Sequence, residues 1–263
     1  IGMGAFSASD LNSVDISQSN VKTIAAEAFE YCDITTFVWN DMVTSIGDWA
    51  FYGSAFGEFV LPATVKTIGN EAFKYGEEMT SFSCAAGSVL EKIGDGAFWR
   101  CESLVTVTLP ASIKTIGADA FYYCSALTSV NFLEDVTTGQ SKLEKIGNEA
   151  FAYTALTSFT FPETAKVITS ASFGGPIFKN CTELTTINLS STVASFEGAL
   201  DYCSSISTIT VASDSENFKV AENNSLVLLN KAGDTVVYIS GLLPAGAFDL
   251  SSVAQGITRI GPE

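Results

Sequence analysis

The chain has 263 residues, 47% of them apolar, with 13 basic against 29 acidic side chains and no histidine. A net charge of −16 leaves no basic face to neutralise phosphate, which argues against nucleic acid and anionic membranes as partners. Without histidine there is no Ser-His-Asp or Cys-His nucleophilic site and no His-ligated metal. The six cysteines include no C-x-x-C pair, so zinc-ribbon and thioredoxin-type chemistry is also excluded.

Read from its first residue, the chain repeats itself. Ile1 to Phe6 recurs as Ile24 to Phe29, Ile46 to Phe51, Ile68 to Phe73, Ile93 to Phe98, Ile116 to Phe121 and Ile146 to Phe151, and looser copies end at Phe178 and Leu200. The unit is about 22 residues. The longest step is the 30 residues from Phe121 to Phe151, and the 27 from Phe151 to Phe178 follow it. Insertions of this size are expected as loops on one face of a solenoid. The chain opens in mid-motif, carries no basic-then-apolar leader, and reads as a fragment of something longer. Its longest apolar runs, Leu226 to Leu229 and Val236 to Ile239, are far too short to cross a bilayer, so no direct membrane insertion is expected.

Within each copy the order is constant. Leu104-Val105-Thr106-Val107-Thr108-Leu109-Pro110 and Leu156-Thr157-Ser158-Phe159-Thr160-Phe161-Pro162 alternate apolar and polar residues toward their ends, the period of a strand with one buried face. Proline ends the strand because it cannot donate to a ladder. An extended step follows, such as Ile113 to Ile116. Gly117 then turns the chain into Ala120-Phe121, expected as a short helical or 3₁₀ segment on the opposite side. One unit cannot bury its own apolar face, but a stack can. The fold class expected is therefore a repeat solenoid with a parallel sheet, short helical segments opposite it, and a continuous core of Ile, Ala, Phe, Leu and Val columns.

The order L-x-x-V-x-L-P-x-x-V-x-x-I-G-x-x-A-F-x-x-C resembles the BspA-type (TpLRR) leucine-rich repeats over residues 1–211, about nine repeats. The resemblance implies a secreted or cell-surface location and an adhesion or ligand-binding role, with an extracellular protein or glycan as partner. The alternative is a structural spacer that displays another module. Residues 212–255 leave the pattern. Ser225 to Leu229 and Thr235 to Ile239 flank a Gly-containing turn and read as a β-hairpin insertion between repeats. Residues 256–263 look like the start of a further, truncated repeat.

Two surfaces are candidates for binding. The polar strand positions Thr106, Thr108, Ser129, Asn131, Ser158, Thr160, Thr186 and Asn188, continued by Thr208 and Thr210, should line one sheet face. Solenoids commonly bind ligands there, although Thr and Ser also simply suit exposed strands. The second surface is aromatic, with Tyr31, Tyr75, Tyr123, Tyr153 and Tyr202 each two residues past an anchor, either as an interface or as half-buried padding. An acidic column (Glu27, Asp48, Glu71, Asp95, Asp119, Glu149) and a lysine column read as solvated edges. Like environments along a column do not split carboxylate pKa values, so no enzymatic role, cofactor or metal is expected. Cys32, Cys101, Cys124, Cys181 and Cys203 sit three residues past an anchor, where small residues replace them in other copies. They are expected as buried thiols, with Cys101–Cys124 and Cys181–Cys203 disulfides the alternative that spacing permits. Cys84 is also expected to be buried, at the end of an apolar strand.

Overall fold

A computed structural model describes residues 1–135, 138, 141–163, 167–168, 175–196, 199–222, 224–233, 235–239 and 259–260. It is a parallel β-solenoid. One ladder is built from two-residue strands, from Thr23–Ile24 through Ser45–Ile46, Thr67–Ile68, Lys92–Ile93, Thr115–Ile116 and Lys145–Ile146 to Val167–Ile168, in a seven-stranded sheet. Each isoleucine pairs with the isoleucine of the next copy. The repeating sequence thereby fixes the register, since a slip of one residue would turn every isoleucine out of the core.

The longer strands form the second face in three pieces. Ser13–Asp15 pairs with Thr36–Val38. Glu58–Leu61, Ser81–Cys84, Thr106–Leu109 and Ser129–Phe132 form a four-stranded sheet, and Ser158–Thr160, Thr186–Leu189 and Thr208–Val211 form a three-stranded one. In Thr106–Leu109 the apolar residues point inward and the threonines outward, as the alternation requires. The face therefore breaks twice, once before Glu58 and once between Phe132 and Ser158.

Between the two faces runs a column of phenylalanines. Phe29, Phe51, Phe73, Phe98, Phe121, Phe151 and Phe178 are fully buried. Each ring stacks nearly parallel on the next at 5.1–5.8 Å between centroids. At the first copy Phe6 stacks on Phe29 at 5.2 Å but is 42% exposed.

The segment opposite the sheet differs from the helical or 3₁₀ turn expected there. Among the described residues there is no helix. The chain makes overlapping β-turns instead: Ala28 N–H donates to the Ala25 carbonyl, Glu30 to Glu27 and Cys32 to Phe29. Intervening N–H groups leave the repeat, Glu27 donating to the Asp48 carbonyl, Phe29 to Ala50 and Tyr31 to Tyr52 at 2.8–2.9 Å. The cause lies in the backbone. Glu27 and Tyr31 have φ of 57° and 55°, the left-handed region, as do their counterparts Glu71, Tyr75, Asp119, Tyr123, Glu149 and Tyr153. A type II turn places positive φ at its third residue, and such residues cannot continue a right-handed helix. Holding a residue with a Cβ there costs about 1 kcal/mol or more. The bonds between repeats offset that cost.

Gly47, Gly69, Gly94, Gly117 and Gly147 mark where successive copies come closest. A Cβ on Gly117 would lie 2.5 Å from the Gly94 carbonyl carbon and 2.6 Å from the Asp95 nitrogen. After Thr208–Val211, Phe218–Ala221, Asn224–Asn230 and Thr235–Ile239 run antiparallel, and Arg259–Ile260 pairs parallel with Thr235–Val236. Gly233, at φ 81°, makes the turn between the second and third of these strands. The remainder of the expected terminal repeat, 256–258 and 261–263, lies outside the described residues. No helix among the described residues is long and apolar enough to cross a membrane.

Candidate functional site

The polar strand positions do share one face. Thr106, Thr108, Ser129, Thr186 and Asn188 are half-buried there, while Asn131, Ser158, Thr160, Thr208 and Thr210 are exposed. The parallel register places Thr108 beside Asn131, Thr106 beside Ser129, and Thr160 beside Asn188 beside Thr210. The last three bond to one another. Asn188 Nδ2 donates to Thr160 Oγ1 at 2.9 Å, and Thr210 Oγ1 donates to Asn188 Oδ1 at 2.6 Å. The amide of Asn188 is thus spent on a cross-strand ladder, which stiffens the face and removes that amide from the groups ready to bind.

The sheet break divides this face into two groups, Thr106 to Asn131 on one side and Ser158 to Asn188 on the other. Between them lies a cleft of about 370 Å³, lined by Ser129, Val130, Asn131, Phe132, Glu134, Ser158, Thr160, Phe161, Pro162 and Glu163. Sequence reasoning placed four of these residues on the face, but missed Glu134, Glu163 and the apolar walls. The available signal was the 30-residue step, whose extra residues begin at the end of the Ser129–Phe132 strand.

The five tyrosines differ in exposure. Tyr31 and Tyr202 are 61% and 73% exposed, whereas Tyr75, Tyr123 and Tyr153 are half-buried. The rings form ladders: Tyr31 to Tyr52 at 5.0 Å, Tyr52 to Tyr75 at 5.4 Å, Trp99 to Tyr122 at 4.8 Å and Tyr123 to Tyr153 at 4.4 Å. Lys74 Nζ lies 4.5 Å from the Trp99 ring centroid, and the Arg100 guanidinium 5.3 Å from that of Tyr123. Burial, with a hydrogen bond from the Tyr52 hydroxyl to Tyr31 adding to it, pushes the Tyr52 phenol up to about 12.

The single acidic column resolves into two with different tasks. Residues just after the glycine cap the next copy: Asp48 Oδ1 accepts from Asn70 N, Asn70 Oδ1 from Asp95 N, and Asp95 Oδ1 from Ala118 N, at 2.7–2.9 Å. Residues one further on occupy the left-handed position. There Glu71 pairs with Lys74 at 2.7 Å and Glu149 with Lys179 at 3.2 Å. Environments along this column are unlike after all. Burial, with repulsion from Glu149 and Asp95, pushes Asp119 up to about 6.

All six cysteines are free, and the five in the anchor column are buried. Each of those five thiols donates to the carbonyl of the preceding anchor: Cys32 to Phe6, Cys101 to Phe73, Cys124 to Phe98, Cys181 to Phe151 and Cys203 to Phe178, at 2.8–3.2 Å. Where serine or threonine stands instead, Ser54 and Thr154 bond the carbonyl of their own anchor. Small donors interchange in this column because it needs a compact group that satisfies a buried carbonyl. Burial pushes the Cys101 thiol up to about 12. Cys84 is half-buried, not buried: it pairs with Leu61 on one side, but pairing with the Thr106–Leu109 strand stops at Phe82 and Val107, which leaves its other side uncovered by that strand.

A family profile described as the BspA type leucine-rich repeat region matches the chain in six copies, over residues 1–128, 53–177 and 144–226. No curated protein matches. Among solved structures, a leucine-rich repeat protein from Bacteroides ovatus is 25% identical with a TM-score of 0.58, covering 73% of this chain and 47% of its own. One from Eubacterium ventriosum is 26% identical with a TM-score of 0.52, over 63% of this chain and 40% of its own. The pneumococcal vaccine antigen PcpA shares the fold at 22% identity and a TM-score of 0.50, over 78% of this chain and 51% of its own. The chain thus spans about half or less of the length of each.

Proposed function

Since the chain belongs to the BspA-type leucine-rich repeat family, we propose that it is an extracellular or cell-surface binding scaffold, without catalysis, that engages a protein or glycan through its polar sheet face. The observation that carries this reading is the ordered row of Ser, Thr and Asn side chains, presented at strand spacing on a rigid stacked core. A preformed surface binds without a large ordering cost. The reading of a surface location rests on the family resemblance. The spacer reading has one specific support, the internal bonding of Asn188 to Thr160 and Thr210.

The test is a screen of the chain against immobilised extracellular-matrix proteins and a glycan array, beside a Thr108→Lys/Asn131→Lys/Thr160→Lys variant. A ligand that the folded variant loses is the expected result. A ligand that the variant keeps moves the site to the tyrosine surface. The absence of any ligand overturns the binding reading in favour of the spacer.

A further inference from the structure

The break between Phe132 and Ser158 is a missing rung in the backbone ladder that otherwise runs from Gly57 to Ser207. At one level of the stack Thr80 N–H donates to the Gly57 carbonyl, Val105 to Thr80 and Thr128 to Val105. The series resumes with Thr185 to Thr157 and Ser207 to Thr185, all at 2.9–3.0 Å. The bond that would join Thr157 N–H to the Thr128 carbonyl is absent, and the Ser129–Phe132 and Ser158–Thr160 strands are not paired with each other. Two strand edges with unused main-chain donors and acceptors therefore face each other across the cleft. The two strands still approach within 8 Å, too close for a further strand between them, so the opening admits a side chain and not a backbone.

The chemistry of the walls narrows the occupant. Glu134 and Glu163 line the cleft and are exposed, and among the described residues no lysine or arginine lines it. Glu163 Oε2 accepts from Ser191 at 3.2 Å, which orients that carboxylate. Glu134 makes no ion pair among the described residues. Phe132, Phe161 and Pro162 supply apolar wall, against which the methylenes of a long cationic side chain can lie. The net charge of −16 steers a basic partner in and repels an acidic one.

We propose that this cleft receives a lysine or arginine side chain from an extended, basic segment of a partner protein, with Glu134 and Glu163 holding the cation. The proposal rests on the sheet-face reading above and makes it specific.

The probe is a fluorescein-labelled hexalysine peptide, titrated by anisotropy into the whole 263-residue chain at low salt. Three proteins are compared: the native chain, Glu134→Gln/Glu163→Gln, and a control of equal charge change, Glu77→Gln/Glu78→Gln, on exposed positions two repeats earlier. Thermal melts verify that each is folded. The expected result is a loss of about 10-fold in affinity for the cleft variant, the scale of a charge-assisted contact, and less than about twofold for the control. Equal losses in both variants would reveal diffuse attraction to an acidic surface and overturn the proposal. Unchanged binding by the cleft variant, or none by the native chain, would overturn it too. If hexalysine fails while the matrix and glycan screen still yields a ligand sensitive to Thr108→Lys, the sheet-face reading stands and the cleft assignment alone falls.

Discussion

Truncating one ring of the phenylalanine column tests the stacking argument most directly. Phe121 is fully buried and lies between Phe98 at 5.1 Å and Phe151 at 5.4 Å, with both rings nearly parallel to it. Phe121→Ala removes the transfer energy of the ring, about 3 kcal/mol, and leaves a cavity and two lost ring contacts that add about 1 kcal/mol. The expected loss is about 4 kcal/mol. Phe6→Ala is the internal control, because Phe6 occupies the same column position but is 42% exposed and stacks on one side only, against Phe29. Its expected cost is about 1–1.5 kcal/mol. Urea unfolding followed by circular dichroism measures both. If Phe6→Ala cost as much as Phe121→Ala, or Phe121→Ala cost less than about 2 kcal/mol, the column would not be the spine described here.

Further outcomes follow from the close approaches and the buried groups. Gly117→Ala should cost about 2–3 kcal/mol, because its Cβ would meet the Gly94 and Asp95 backbone at 2.5–2.6 Å. Gly57→Ala, with nothing within 4 Å of its Cβ, should stay within about 0.5 kcal/mol of the native chain in the same melts. Asp119 has a folded pKa raised from 3.8 to about 6. Its contribution to stability is therefore fully present below about pH 4 and is lost as pH rises through 6. Asp119→Asn should raise the melting temperature by about 2–4 °C at pH 7, discounting for its partial exposure, and by almost nothing at pH 3.5. Iodoacetamide at pH 8 should leave the five column thiols unmodified in the native chain, since they are buried. All six should react once the chain is unfolded, and rapid native labelling of Cys101, held near 12 by burial, would contradict the packing.

The solenoid, its register and its core columns were readable because one pattern repeats in phase, so that each copy corroborates the others. The turn side was misread for a physical reason. Its left-handed positions carry Glu, Asp, Trp, Tyr and Arg in most copies, residues that announce neither a turn nor positive φ. Among the described residues only Gly4, Gly53, Gly96 and Asn180 signal that conformation there, and they are scattered among columns of bulkier side chains. The two acidic tasks were merged because Asp48 and Glu71 differ by one position in their copies, a difference that decides between capping a neighbour and occupying the turn. On the sheet face, the positions of Ser129, Asn131, Ser158 and Thr160 were legible from alternation alone. That a cleft separates them was not, because it depends on a pairing that fails between two strands, and failure of a pairing has no local sequence signature beyond the longer step.

The missing rung also bears on how the molecule comes apart. Most neighbouring copies are held by ladders on both faces; the exceptions are the cleft and the break before Glu58. Across the cleft the longer-strand ladder is lost, while the two-residue ladder from Thr115–Ile116 to Lys145–Ile146, the turn-side bonds from Asp119, Phe121 and Tyr123 N–H to the Asn148, Ala150 and Ala152 carbonyls, and the stack of Phe121 on Phe151 continue. In a structure where each copy touches only its neighbours, cooperativity passes through every junction in series, and the weakest junction sets where it fails. Under tension or in rising denaturant this chain should part first at one of these two breaks in the longer-strand face. The place most open to a partner is then one of two fault lines, and a ligand that bridges it would act as a splint, joining two unfolding units into one.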